Sequence, residues 1–108
     1  MTLERSDTGT ETLLVAAGAL GVGEADRWAE ALKEILSRPK PLVTLDLGGV
    51  ESVDVTFFQI LLAFQRSLKA QESNLLLRTL PPGHEVETKA SRVGIPLGRH
   101  FLFVEPSA

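Results

Sequence analysis

Apolar positions along this chain switch between two rhythms, and the switches mark its elements. Residues 42–47 are an almost unbroken apolar run: Leu42, Val43, Leu45 and Leu47 with the β-branched Thr44, entered after Pro39 and Pro41 and followed by Gly48-Gly49. A short apolar run between turn signals predicts a strand covered on both faces and ended by the glycine pair. Asp46 interrupts the run and requires a partner or a wet strand end. A loop over 48–54 is expected next, then a long helix. Phe57, Leu61, Phe64 and Leu68 recur at spacings of 4, 3 and 4 and form one face, which Phe58 and Leu62 widen, while Gln59, Ala63, Arg66 and Ala70 fall opposite. Such a helix packs on a sheet and leaves apolar surface at its edge, beside Phe58. Asp54 or Thr56 is placed to cap it, because a side-chain oxygen there accepts an otherwise orphan backbone N–H.

The rest of the chain follows the same logic. Residues 2–6 give a weak edge strand, Asp7-Thr8-Gly9 a turn, and residues 11–17 a better strand led by Leu13, Leu14 and Val15, so a hairpin opens the fold. Gly18, Gly21 and Gly23 predict an irregular loop, and their spacing is not the Gly-x-Gly-x-x-Gly of a phosphate loop. Residues 24–37 read as an amphipathic helix with Ala25, Trp28, Ala29, Leu32, Ile35 and Leu36 inward and Glu24, Arg27, Glu30, Lys33 and Glu34 outward. Trp28, within that stripe, reads as core rather than as a binding aromatic. Residues 74–80 predict a buried strand, Pro81-Pro82-Gly83 a break, and residues 84–93 a helix through Val86, Ala90 and Val93 with Gly94 at its C-cap. Residues 97–98 read as loop, 99–104 as a last short strand and 105–108 as a tail. The order β-β-α-β-α-β-α-β predicts an α/β chain and a single domain over residues 1–108. Its small mixed sheet runs parallel after the hairpin, with helices mainly on one face. In open α/β sheets the working surface lies at the C-terminal strand ends, where the stretch 48–56 falls.

Composition narrows the function. Hydrophobic residues make up 44% and charged residues 23% of the 108, ordinary for a globular domain with one core. No apolar run approaches the roughly 20 residues of a membrane span, so no membrane insertion is expected. Residues 1–9 lack the apolar core of a signal peptide. The absence of cysteine excludes disulfide and thiol chemistry and fits the cytoplasm. His84 and His100 stand 16 apart without a thiol partner, so no metal or other cofactor is expected. A net charge of −3, with the 11 basic residues spread along the chain, argues against nucleic acid as a partner. A hydrolase would draw on Ser52, Asp54, Thr56 and His84. No Gly-x-Ser-x-Gly elbow is present and nothing in the sequence sets a histidine beside a serine, so a non-enzymatic protein is expected. A hydroxyl at a helix N-terminus, by contrast, is a place where an added phosphate is locally stabilised.

Leu45-Asp46-Leu47, Gly49-Val50, Val53-Asp54 and Thr56, followed by the apolar helix from Phe57 to residue 68, resemble the signature of the STAS domain, the sulfate-transporter and anti-sigma-factor-antagonist family. The resemblance runs over residues 10–95, with its specific part in 42–80. It implies a small sheet with helices stacked on one side, acting as a protein-interaction switch. In anti-sigma factor antagonists of this family, a Ser or Thr directly after the Asp is phosphorylated by a partner kinase, and the unphosphorylated domain binds that partner and frees the sigma factor. Here that position is Val55, without a hydroxyl, while Thr56 matches the second hydroxyl position and Phe57 replaces the usual glycine. The resemblance therefore implies either a switch moved to Thr56 as phosphoacceptor or a switch lost. The partner surface it implies comprises Gly49, Ser52, Asp54, Val55, Thr56, Phe58, Gln59 and Leu62. The implied partner is an anti-sigma factor of the serine-kinase type, a chemotaxis-type signalling protein or, as in STAS subunits of lipid-asymmetry transporters, an ABC ATPase. A small-molecule or nucleotide sensor is a further family role, and Phe58 beside Leu62 offers a self-contact for a homodimer.

Overall fold

The computed structural model describes residues 1–105, and residues 106–108 of the expected tail lie outside the described residues. The elements are β1 (Thr2–Asp7), β2 (Glu11–Leu20), α1 (Ala25–Ser37), β3 (Leu42–Val53), α2 (Val55–Ala70), β4 (Asn74–Arg78), α3 (Glu85–Arg92), α4 (Leu97–His100) and β5 (Leu102–Val104), with a 3-10 turn at Val22–Glu24 leading into α1. One sheet runs in the order β1-β2-β3-β4-β5; β1 and β2 are antiparallel and the other pairs are parallel. This is the mixed α/β architecture expected. Because the strands lie side by side in chain order, successive right-handed crossovers bring their helices to one face, and α1 packs against α2. Register aligns Leu14, Leu45 and Leu77 across three strands, all buried. One residue out of phase, Leu13, Thr44, Leu76 and Leu102 form a row on the opposite face. There Leu102 is 68% exposed.

The first correction concerns β3. Gly48-Gly49 does not end it: the strand continues six residues beyond Leu47, to Val53. The reason is β2, which runs past its expected end at Ala17 to Leu20 and stays paired, Ala17 to Gly49, Gly18 to Val50 and Leu20 to Val53. Register shifts between Val15 and Ala17 and between Gly18 and Ala19 absorb the extra residues. Gly18 sits at φ +89, and a Cβ on Gly49 would lie 2.9 Å from the Ala17 Cβ. These glycines are irregular-pairing residues inside strands rather than breakers. The loop expected over 48–54 therefore shrinks to Asp54 alone, between β3 and α2.

The second correction is Phe58. It is completely buried rather than lying at an exposed helix edge, in the core with Phe57, Leu61, Phe64 and Leu68. With β3 prolonged to Val53, the sheet reaches the first turn of α2 and covers Phe58, and the apolar surface that turn leaves out is Val55 instead. Phe58 is therefore not at the surface for the self-contact expected of it beside Leu62.

Asp46 finds its partner in the neighbouring strand: Arg78 Nη1 lies 3.1 Å from its Oδ2, and the Gly48 N–H donates to Oδ1 at 2.9 Å. β4 covers only residues 42–45 of β3 and stops at Arg78, short of the expected residue 80. α3 packs against β3. His84 is not in that helix but caps it, and Gly94, at φ +82, follows the C-cap Val93. Residues 97–100 form a helical turn where a loop and then strand were expected, and β5 keeps only three residues. Pro96 stands just before that turn, and a proline fixes its φ and gives up only an N–H that a helix start leaves unpaired. Among the described residues no helix is long and apolar enough to cross a membrane.

Candidate functional site

The β3–α2 junction is built by one residue. Asp54 is extended (φ −119, ψ −179), and its Oδ1 accepts the backbone N–H groups of Thr56 at 3.0 Å and Phe57 at 3.3 Å. That satisfies two of the four donors that a helix start leaves orphaned. The cap is therefore Asp54 and not Thr56. The Thr56 side chain is half-buried, and among the described residues its hydroxyl makes no hydrogen bond. Val55, the first helical residue, is 42% exposed.

Behind the cap lies an aromatic stack. Phe57 stacks on Trp28 of α1 with ring centroids 4.8 Å apart, and Phe58 meets Phe57 edge-on at 5.1 Å. Trp28 is core, as the helix pattern predicts, yet it also borders the junction. Its indole Nε1 and the second carboxylate oxygen of Asp54 are both buried without a hydrogen-bond partner. Both residues line one cavity, together with Leu20, Gly21, Ala25 and Phe57, and that cavity has no room for a water molecule. A buried donor and a buried acceptor thus share a small space, each carrying an unmet desolvation cost. Sequence reasoning missed this neighbourhood, since helical periodicity places Trp28 inward but does not say beside what. Only the parallel pairing of β2 with β3 brings the start of α1 beside the start of α2.

The structure gathers part of the expected set. Ser52, Val55 and Gln59 are exposed around the junction with Thr56 half-buried among them, and Leu62 lies half-buried further along α2. Gly49, also exposed, belongs to the irregular β3 pairing against Ala17. Phe58 is withdrawn into the core. His84 does not join this group as a base. Its Nδ1 accepts the Val86 N–H at 3.1 Å and its Nε2 lies 3.0 Å from the Gly48 carbonyl. These partners assign the proton to Nε2, so both ring nitrogens are occupied in tying α3 to β3. Among the described residues no group of three metal-ligating side chains comes together.

Comparison with known proteins follows from this geometry. A family model described as Mlab, STAS domain matches residues 3–94. An anti-sigma factor antagonist from Mycobacterium paratuberculosis shares the fold at a TM-score of 0.81 and 19% identity, over 98% of this chain and 86% of that one. The anti-sigma factor antagonist SpoIIAA in its unphosphorylated form does so at 0.72 and 11% identity, over 98% and 90%. The Bacillus cell fate determinant SpoIIAA in its phosphorylated form gives 0.69 and 11%, over 95% and 91%. At such identities these structures speak to the fold alone. No curated protein matches the chain. With the family model spanning residues 3–94, most of the sequence, the chain belongs to the STAS domain family.

Proposed function

We propose that this chain is a non-enzymatic, cytoplasmic regulatory module that docks a signalling protein on the surface formed by Ser52, Val55, Thr56 and Gln59, and that phosphorylation of Thr56 releases it. The partner is an anti-sigma factor of the serine-kinase type or a chemotaxis-type protein. The observation that carries this reading is the division of labour at the junction. Asp54 supplies the cap, so the Thr56 hydroxyl is left without a structural task at a helix N-terminus. A phosphate there adds close to two negative charges at the positive end of the helix, where it is tolerated. The same charge falls beside exposed Val55 and the Asp54 carboxylate, where an apolar contact with a partner would not survive it. The existence of SpoIIAA structures in both phosphorylation states supports placing such chemistry on this fold.

A second reading rests on Val55. An exposed apolar residue at the position where the family usually carries its phosphoacceptor suits permanent docking, as of a structural subunit on an ABC ATPase. One experiment separates the two: capture of partners from native lysate by the wild type, Thr56→Glu and Val55→Asp, identified by mass spectrometry. The switch reading expects a kinase-fold or signalling protein that Thr56→Glu loses, and a Thr56 phosphopeptide after incubation with the captured kinase. Capture of a transporter ATPase that Thr56→Glu retains and Val55→Asp loses overturns the switch and establishes the structural subunit.

A further inference from the structure

The opposite end of α2 carries different chemistry. Between the C-terminus of α2, the start of β4 and the α4–β5 segment lies a pocket of about 310 Å³, within the size range of small-ligand sites. Its lining includes Lys69, Arg99 and His100 but no acidic residue, in a chain whose net charge is −3. The ion pairs among the described residues engage Arg5, Arg27 and Arg78, so neither Lys69 nor Arg99 is neutralised by one. A second observation is independent of these surface charges. Ser73, also in the lining, is only 5% exposed, and its hydroxyl, with no side-chain hydrogen bond among the described residues, is not one of their fully buried unpartnered atoms and so stays open to a ligand.

Several helix-end carbonyls here already accept hydrogen bonds. Leu68 O accepts from the Gln71 and Ser73 N–H groups, Lys69 O from Glu72 N–H and Leu97 O from Phe101 N–H, while His100 O accepts from Gln65 Nε2 at 2.6 Å. The lining sets two basic side chains, Lys69 and Arg99, beside buried Leu75 and Phe101. We propose that this pocket binds a small phosphomonoester. Its terminal oxygens would meet Lys69, Arg99 and the Ser73 hydroxyl, and its short apolar body would cover Leu75 and Phe101. A tetrahedral dianion suits donors converging from separate elements, and charge-assisted hydrogen bonds supply the affinity.

The test is an amide NMR titration of the isolated chain, in about 150 mM salt to screen loose surface attraction, with inorganic phosphate and with phenyl phosphate as probes. The expected result is saturable shifts at Ser73, Asn74, Gly98 and His100, with phenyl phosphate binding the more tightly. Arg99→Gln and Lys69→Gln, both at exposed positions, are expected to weaken it about tenfold each, and Ser73→Ala to weaken it measurably while the rest of the spectrum is unchanged. Shifts that do not saturate, that map to the Thr56 end of α2, or that survive Arg99→Gln overturn the proposal. No partner protein enters this measurement, so its failure leaves the Thr56 switch untouched.

Discussion

Helix α2 begins on a carboxylate and helix α3 on an imidazole. Asp54 Oδ1 takes two backbone N–H groups and His84 Nδ1 takes one, so both side chains perform the same first task. They differ in the atom left over. His84 Nε2 reaches the Gly48 carbonyl and fastens α3 to β3. The remaining oxygen of Asp54 is buried with no partner, in a cavity it shares with an equally unpartnered indole nitrogen. One helix start is closed, with every polar atom assigned. The other keeps a donor and an acceptor in reserve beside an idle threonine hydroxyl. Buried polar atoms in native proteins are nearly always paired, and exceptions to local consistency concentrate where a protein has something else to do. The contrast supports the proposal that a partner docks at the start of α2.

The comparison can be broken from several directions. The largest effect is expected from what lies under α2: Phe58→Ala removes a fully buried ring and should lower unfolding stability by about 3–5 kcal/mol in a denaturant titration. A loss under about 1 kcal/mol would mean that the α2 start is not anchored in the core as described. Next come the caps. Asp54→Ala should cost about 1–2 kcal/mol and Asp54→Ser much less, because serine restores an oxygen to the helix N–H groups without the buried orphan oxygen. His84→Ala should cost about 1 kcal/mol through its cap, and in addition should raise amide exchange at the α3–β3 contact, where Asp54→Ala should not. Thr56→Val should change stability by no more than about 0.5 kcal/mol. A larger loss would give Thr56 a structural role and weaken its claim as a phosphoacceptor.

The smallest effect comes from a second carboxylate. Asp7 has both oxygens engaged, by the Thr12 hydroxyl and by Arg5. The Thr12 hydrogen bond first, and the Arg5 guanidinium second, hold its carboxyl below the usual carboxylate range. A group with a depressed folded-state value stabilises above its unfolded value and loses that contribution as pH falls through the folded one. Acidification below the ordinary carboxylate value of about 3.9 should therefore loosen the β1–β2 hairpin. In Thr12→Val the Asp7 titration, followed by side-chain NMR, should move back up.

Much of the fold was legible because the information is local. The α2 face of Phe57, Leu61, Phe64 and Leu68 is a matter of 3.6-residue spacing, and all four are buried. Trp28 was placed in the core by the same rule. The Asp54–Thr56 cluster stood out because capping chemistry acts over two or three residues. Arg99 and His100 were less legible, since a four-residue helix carries too little periodicity to separate from a strand.

The sequence by itself determined the main inward stripes of α1 and α2, where those helices run, and that α2 begins beside a carboxylate and a hydroxyl. Tertiary structure alone decided whether Gly48-Gly49 ends a strand or continues it, since that depends on β2 staying paired alongside. It also decided that Phe58 is interior, that Asp46 meets Arg78, and that Trp28 stands behind Asp54. Each of these joins residues more than twenty positions apart or depends on a neighbouring strand. Periodicity reports the faces of one element, whereas pairing between elements is fixed only when the whole sheet closes over its core.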